Sequence, residues 1–422
     1  MTEKLLQFIW QFRYFNQQQL TTLQEDPLKI IYPGSFNSNQ GPDFLHSRIL
    51  LGEQIWAGNI ELHLQTSDWY KHGHQLDINY RNVILHVVWQ NDLKLDKLHL
   101  PTLELQPRVS NLLLDKYRDI MNNSFFLPCE NSLQQVPDLV WTSWKDRLLI
   151  ERLHRKSSYI LQLLKENKQS WEDTLWWMLA RNFGLKVNEE VFEAVARSLP
   201  ARLLAKHRHQ IHQVEALLFG QAGLLSPDFE EAYPVLLQKE YKFLAGKYGL
   251  QPVNISVSFL RMRPFNFPSI RLAQLAMLIC HSHHLFSKFK EIESVKDIRY
   301  LLDITANDYW HYHYCFDEPS DYRPKNLGAG MIENIIINTI APLLFAYGIY
   351  HKDSSPADKA LKWLEELPGE KNAITKAWRN AGVPAKYAYE SQALLELKNQ
   401  YCNNKLCLNC AIGNAILKQL TN

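Results

Sequence analysis

The sequence predicts a mixed α+β protein in two parts. The first is an α/β domain over residues 1–125, built on a mixed sheet with flanking helices; the second is a large, mostly α-helical domain over residues 126–422. Three observations carry this expectation. Between Phe44 and Trp89 the apolar residues alternate with polar ones or run in the short blocks that strands require. From about residue 110 onward they recur at helical spacing, with Gly184, Pro200, Gly220, Pro264 and Gly328 falling between the periodic stretches. Finally, 422 residues exceed what one ordinary core holds.

Taken in order, residues 4 to 15 are expected to form a helix, because Leu5, Phe8, Ile9 and Phe12 share one face. The Gly-, Pro- and Asn-rich stretch Pro33-Gly34-Ser35 through Asn37 to Pro42 reads as irregular loop. Phe44 to Leu51 and Gln54 to Leu64 read as strands joined by a hairpin-like turn at Gly52-Glu53. In the second of these, Ile60, Leu62 and Leu64 alternate with Asn59, Glu61 and His63. Val83 to Trp89 is apolar on both faces except at His86, as an interior strand would be. Leu98 to Leu105 predicts one more strand. Helices are expected over Trp141 to Leu164, Trp171 to Phe183, Ile270 to Phe286 and Ala357 to Leu367. The apolar stretch from Ile335 to Tyr350, interrupted by Asn338, Pro342 and Gly348, reads as a buried helix and not a membrane span.

Composition narrows the function classes. Hydrophobic residues make up 46% and charged residues 21%, which is globular and not disordered. A net charge of +2 gives no basic excess over the whole chain, so any nucleic-acid contact has to come from a local basic face. Met1 to Leu6 does not read as a secretory signal, and a cytoplasmic location without membrane attachment is expected. In that compartment Cys129, Cys280, Cys315, Cys402, Cys407 and Cys410 are expected as thiols or metal ligands, not as disulfides.

The chemistry concentrates between Gly41 and Trp89. Asp43 opens one strand, while Glu61 and His63 stand two apart on the next and so point to the same face. Two carboxylates and an imidazole on one face suit a divalent cation: the oxygens favour magnesium or manganese, and the imidazole tolerates manganese, iron or zinc. His72 and His74 in His-Gly-His, Asp77 and His86 lie close in sequence, which opens a second reading as a zinc site built on His63, His74, Asp77 and His86. Trp69, Tyr70 and Tyr80 suit either packing or base stacking.

Pro42-Asp43 followed by Glu61-Leu62-His63 resembles the restriction-endonuclease-like nuclease superfamily, whose signature is an Asp at a strand start and Glu-x-Lys on the following strand. The resemblance implies metal binding by Asp43 and Glu61, with Glu3 on the first helix as an extra carboxylate and phosphodiester cleavage as the reaction. His63 stands where the superfamily has Lys, and takes the role of base or ligand, with His74 assisting. Gly41-Pro42-Asp43-Phe44, Gly58 to His63, Ser67-Asp68-Trp69, His72-Gly73-His74, Leu85 to Val88, Arg261 to Pro264, Asn266 to Pro268 and the Cys402 to Gly413 ending together resemble an uncharacterised bacterial family, domain of unknown function 2851.

Cys402-x4-Cys407-x2-Cys410 supplies three thiolates, and Cys129 in Leu127 to Glu130 is the candidate fourth for a tetrahedral zinc site. One RecB-like branch of the nuclease superfamily carries an iron–sulfur cluster on one distant and three C-terminal cysteines, so the same resemblance implies a 4Fe-4S cluster as the alternative. In the helical part, Arg261, Arg263 and Arg271 read as a turn held by guanidinium hydrogen bonds or as an anion contact. Trp310 to Cys315, despite its two histidines, reads as packing. The functional expectation is a metal-dependent nuclease-like hydrolase acting on nucleic acid. The alternatives are an inactive nuclease-like module that binds nucleic acid or protein, and the zinc hydrolase.

Overall fold

The computed structural model describes residues 1–97, 100–282 and 284–418. The fold is mixed α+β. The chain divides into two compact units, residues 1–144 together with those from 397 onward, and residues 145–396. The domain division expected from the sequence lies at residue 125, and the compact units themselves are bounded at 144 and 397.

The first unit opens with α1 (Glu3–Phe12), which Thr2 caps by accepting the Leu5 N–H. Arg13 takes a left-handed conformation and sends its own N–H back to the last turn, so the helix expected over residues 4 to 15 stops at Phe12. Leu5, Leu6, Phe8, Ile9 and Trp10 are its buried face. Next come β1 (Leu28–Tyr32), β2 (Ser35–Phe36), β3 (Phe44–Leu51), β4 (Gln54–Gln65), α2 (Asp68–Lys71), β5 (Val83–Gln90), β6 (Thr102–Glu104) and α3 (Asn111–Asn122).

The sheet runs β1-β3-β4-β5-β6, with β2 beside β3. β1–β3 and β3–β4 are antiparallel, and β4–β5 and β5–β6 are parallel. The β3–β4 hairpin turns at Gly52, whose φ of 58° is the left-handed conformation such turns need. β5 is buried from Val83 to Val88, as a strand with parallel neighbours on both sides must be. Gly58 allows β4 to close on β5, since a Cβ there would stand 2.4 Å from Ile84 Cγ2 and 2.6 Å from Asn82 O. Of the strand expected over Leu98 to Leu105 the structure forms β6; Leu98 and His99 lie outside the described residues.

Three side-chain bonds tie the segment from Leu397 into this unit. Lys398 Nζ donates to Phe126 O at 2.6 Å, Lys405 Nζ donates to Met121 O at 2.5 Å, and Tyr14 OH donates to Asn414 Oδ1. Met121 lies in the last turn of α3, where carbonyls lack intrahelical partners and a cation is favoured.

In the second unit, Trp171–Phe183, Leu185–Ser198, Ile211–Gln221 and Pro268–His281 contribute to one core. Trp176 is buried there and bonds the carbonyls of Ala196 and Leu199. The helix expected over Ile270 to Phe286 is two, Pro268–His281 and Leu285–Glu291, because His284 turns left-handed before the second. Ala329–His351 is long and apolar enough to cross a membrane by length and composition, and 72% of its most apolar window is buried within the unit. Arg271 spans the Pro264 to Pro268 turn by donating to the side chains of Asn266 and Gln274. Trp310 stacks on Phe219 at 5.1 Å, and His313 pairs with Glu231 at 3.0 Å.

Glu215 is fully buried and accepts from Tyr233 OH at 2.6 Å and from Trp310 Nε1 at 3.1 Å. Burial pushes its carboxyl up from 4.5 to about 7. A carboxyl raised on folding favours the native state while protonated. Its contribution is complete below about 4.5 and is lost as pH rises to about 7. Relative to wild type, Glu215→Gln is expected to flatten the decline of the folding equilibrium over this window, by up to about tenfold per pH unit. Urea titrations of both proteins across that range check it; parallel curves would refute it.

Candidate functional site

The register of the β3–β4 hairpin builds the site. Gly41 takes φ 110°, and Asn37 holds the loop by donating from its backbone N–H to Asp43 O and from Nδ2 to Pro42 O. Phe44 pairs with Ile60, which sets Asp43 beside Glu61. The two carboxylates then clasp each other's strand: the Asp43 N–H donates to Glu61 Oε2 at 3.0 Å, and the Leu62 N–H donates to Asp43 Oδ2 at 3.1 Å. Gln7 on α1 donates to the other Asp43 oxygen at 2.8 Å. Burial pushes both carboxyls well above the usual range; their mutual repulsion adds to the rise at Glu61, and the charge of exposed Glu3 adds to both.

The other Glu61 oxygen faces imidazoles. Oε1 lies 3.6 Å from His63 Nε2 and 3.6 Å from His74 Nε2. His63 Nε2 is also 3.1 Å from His72 Nδ1, and its Nδ1 is 2.9 Å from His86 Nε2. Each of His63, His72 and His74 offers a ring nitrogen, and the three nitrogens lie within 4.8 Å of one another. Burial and the neighbouring imidazoles push His63 down to about 3, and burial does the same to His86, so both rings are neutral. Tyr80 stacks on His74 at 3.8 Å, and Trp69 closes the cluster edge-on to His74 and 5.3 Å from His86. The α2 segment and the two turns after it deliver His72, His74 and Tyr80, because the parallel β4–β5 crossover has to pass over the end of β4.

Asp43, Glu61, His63 and His74 are thus brought together, with Glu3 close enough to act through its charge. The four residues named for a zinc site do not converge as a set. His86 stands behind His63, and the Asp77 carboxylate accepts from the backbone and side chain of Asn79. His72 joins His63 and His74 instead. Gln7 was not foreseen, although it lies one turn after Glu3 on the same helix face. Cys129, Cys402, Cys407 and Cys410 are free thiols of the same unit.

What fold and site define together is an α+β protein with a carboxylate–imidazole cluster on a mixed sheet, buried at Glu61, His63 and His86, half-buried at Asp43 and His74 and exposed at His72. The chain belongs to the family described as protein of unknown function (DUF2851), whose model matches residues 3–373. That span includes every residue of the cluster and stops short of Cys402. Comparison with curated proteins and with solved structures gave no match.

A buried carboxylate repelled by a second, half-buried one opposes folding, so relieving it should stabilise the metal-free protein. Glu61→Gln retains an oxygen for the Asp43 N–H and is expected to raise the thermal midpoint at mildly alkaline pH by about 2–4 °C. Scanning calorimetry after chelation tests this; a lower midpoint would mean that the pair holds the strands together more than it strains them.

Proposed function

We propose that the first unit is a metal-dependent hydrolase of phosphodiester bonds in nucleic acid, nuclease-like in its site. The observation that carries this reading is the position of Glu61. One of its oxygens accepts the Asp43 backbone N–H, and the other faces His63 and His74. Support also comes from the arrangement the nuclease resemblance implies: Asp43 at a strand start, Glu61-x-His63 on the next strand, and Glu3 on the helix before.

Asp43 and Glu61, with Glu3, are the oxygens that would hold magnesium or manganese; His63, His72 and His74 add nitrogens that suit manganese or zinc. A bound cation supplies polarisation of the phosphodiester and a lower pKa for water. His63 is neutral and its Nε2 faces Glu61, which suits that nitrogen to hold a cation or to accept a hydrogen bond from a water there, while its lowered pKa makes it a weak base. His86 fixes the ring from behind, and Gln7 fixes Asp43.

The test is cleavage of labelled single- and double-stranded DNA and RNA with magnesium, manganese or zinc. Asp43→Ala and Glu61→Gln are expected to lose on the order of 10²–10⁴-fold in rate. The close approach of three imidazoles favours one second reading, a zinc hydrolase of another class. In that case zinc alone supports turnover, and His72→Ala abolishes it while Asp43→Ala leaves most of it. Metal and nucleic-acid binding without turnover would leave the inactive binding module.

The cysteines call for a separate proposal: one tetrathiolate metal centre. Cys407 and Cys410 are near enough to Cys129, and Cys129, Cys407 and Cys410 to Cys402, to act on one another through charge, but no three of these sulfurs lie within 4.8 Å of one another, so a metal would have to draw them together. Cys402 ends a π-helical turn, Leu397–Cys402, and Cys410 precedes the helix Ala411–Lys418, where the Ile412 and Gly413 N–H groups bond its sulfur. Gly413 permits the close loop, since a Cβ there would stand 2.2 Å from Cys407 O. Anaerobically purified protein is expected to carry zinc, or iron with the visible absorption of an iron–sulfur cluster, and Cys407→Ser to lose it. Metal-free protein, or metal retained in the variant, would overturn the assignment.

A further inference from the structure

The helical unit has a cavity of about 410 Å³ whose polar lining is strongly cationic: Arg152, Lys156, Arg181 and Lys186, with Glu189 the acidic residue among them. The arginines are already engaged. Arg152 bonds Gln392 and Glu396, and Arg181 pairs with Glu189 and Glu193. Lys156 is different. Its ammonium donates to Asn338 Oδ1 at 2.9 Å, and that partner is a neutral amide. An ammonium buried against a neutral amide is costly: burial and the nearby Arg152 charge pull its pKa down, and the Glu370 and Glu396 carboxylates, which it does not bond directly, offset only part of this. Its two remaining N–H donors have no protein acceptor within hydrogen-bond reach among the described residues.

Two further features face the same space. Asn338 and Thr339 sit on the π-helical turn Ile336–Ile340, a departure from α-geometry that displaces side chains and recurs at ligand sites. Asn182 donates to Thr339 Oγ1 at 3.1 Å, but its own Oδ1 is buried without a donor. The cavity therefore presents spare cationic donors at one place and a spare acceptor at another. Ile160, Met178 and Leu185 supply the apolar wall.

We propose that this cavity binds a small phosphorylated molecule carrying a hydroxyl or N–H group, such as a sugar phosphate or a nucleotide. Lys156 and Lys186 take the phosphate, and Asn182 Oδ1 accepts from the hydroxyl or N–H. The phosphate would supply a directly bonded counter-charge, which Glu370 and Glu396 do not, and that is a physical reason for an ammonium at this place. The size also fits: cavities of a few hundred Å³ hold ligands of this class. This site is independent of the Asp43–Glu61 chemistry and stands or falls without it.

The experiment is calorimetric titration of the full chain with inorganic phosphate, ribose 5-phosphate and a nucleoside monophosphate, using wild type, Lys156→Met and Asn182→Leu. The phosphorylated sugar or nucleotide should bind wild type at least tenfold more tightly than inorganic phosphate does. Lys156→Met should lose all three ligands and, with its buried charge gone, show a higher thermal midpoint in their absence. Asn182→Leu should weaken the sugar and nucleotide by about tenfold and leave inorganic phosphate unchanged. No binding by wild type, or equal binding by wild type and Lys156→Met, would overturn the proposal. If Lys156→Met fails to fold, Lys186→Ala on the cavity rim is the second variant, and unaltered affinities there would count equally against it.

Discussion

Strand β4 is the constraint from which the rest of the first unit follows. It pairs antiparallel with β3 on one side and parallel with β5 on the other. An antiparallel neighbour needs only the two-residue turn at Gly52, so Asp43 and Glu61 meet through simple strand register. A parallel neighbour requires the chain to return to the starting end, and that return path is where α2, His72, His74 and Tyr80 are found. Carboxylates thus come from the hairpin and imidazoles from the crossover, and Glu61 and His63, on β4 itself, touch both sets.

The arrangement works against the stability of the fold that carries it. Asp43 and Glu61 are like charges in a poorly solvated place, and His63 and His86 are held as neutral rings where water would partly charge them. Backbone N–H donors and Gln7 offset part of this cost, and the closely packed sheet around Phe44, Ile60 and Leu62 bears the remainder. Local conflicts of this sort, set inside otherwise consistent secondary structure, are where function is to be sought.

How much of this could be read in the residues depended on distance along the chain. The period-2 pattern of Asn59 to Leu64 and the apolar run of Val83 to Val88 gave strands that the structure forms, and two-residue spacing alone put Glu61 and His63 on one face. The pairing of Asp43 with Glu61 was legible because a hairpin is local. From the sequence His86 reads as the one polar position of an interior strand or as a zinc ligand; in the structure its partner is His63, since parallel register places Glu61 beside His86 and no local pattern encodes that register. Which unit a helix joins is a long-range matter of the same kind. Periodicity shows that residues 111–122 and 411–418 are helical, but nothing local says which core they join; Lys398, Lys405 and Asn414 decide that through single long-range bonds.

The bond from Tyr14 to Asn414 joins residues 400 positions apart. On the ribosome, the strands of the first unit emerge early, yet the segment from Leu397 that completes it emerges only after the whole helical unit has been synthesised. The first unit must therefore wait for that segment while residues 145–396 pass through the exit tunnel, although every strand of its sheet has already been made. The half that is made first is finished only once the residues from 397 onward have been translated.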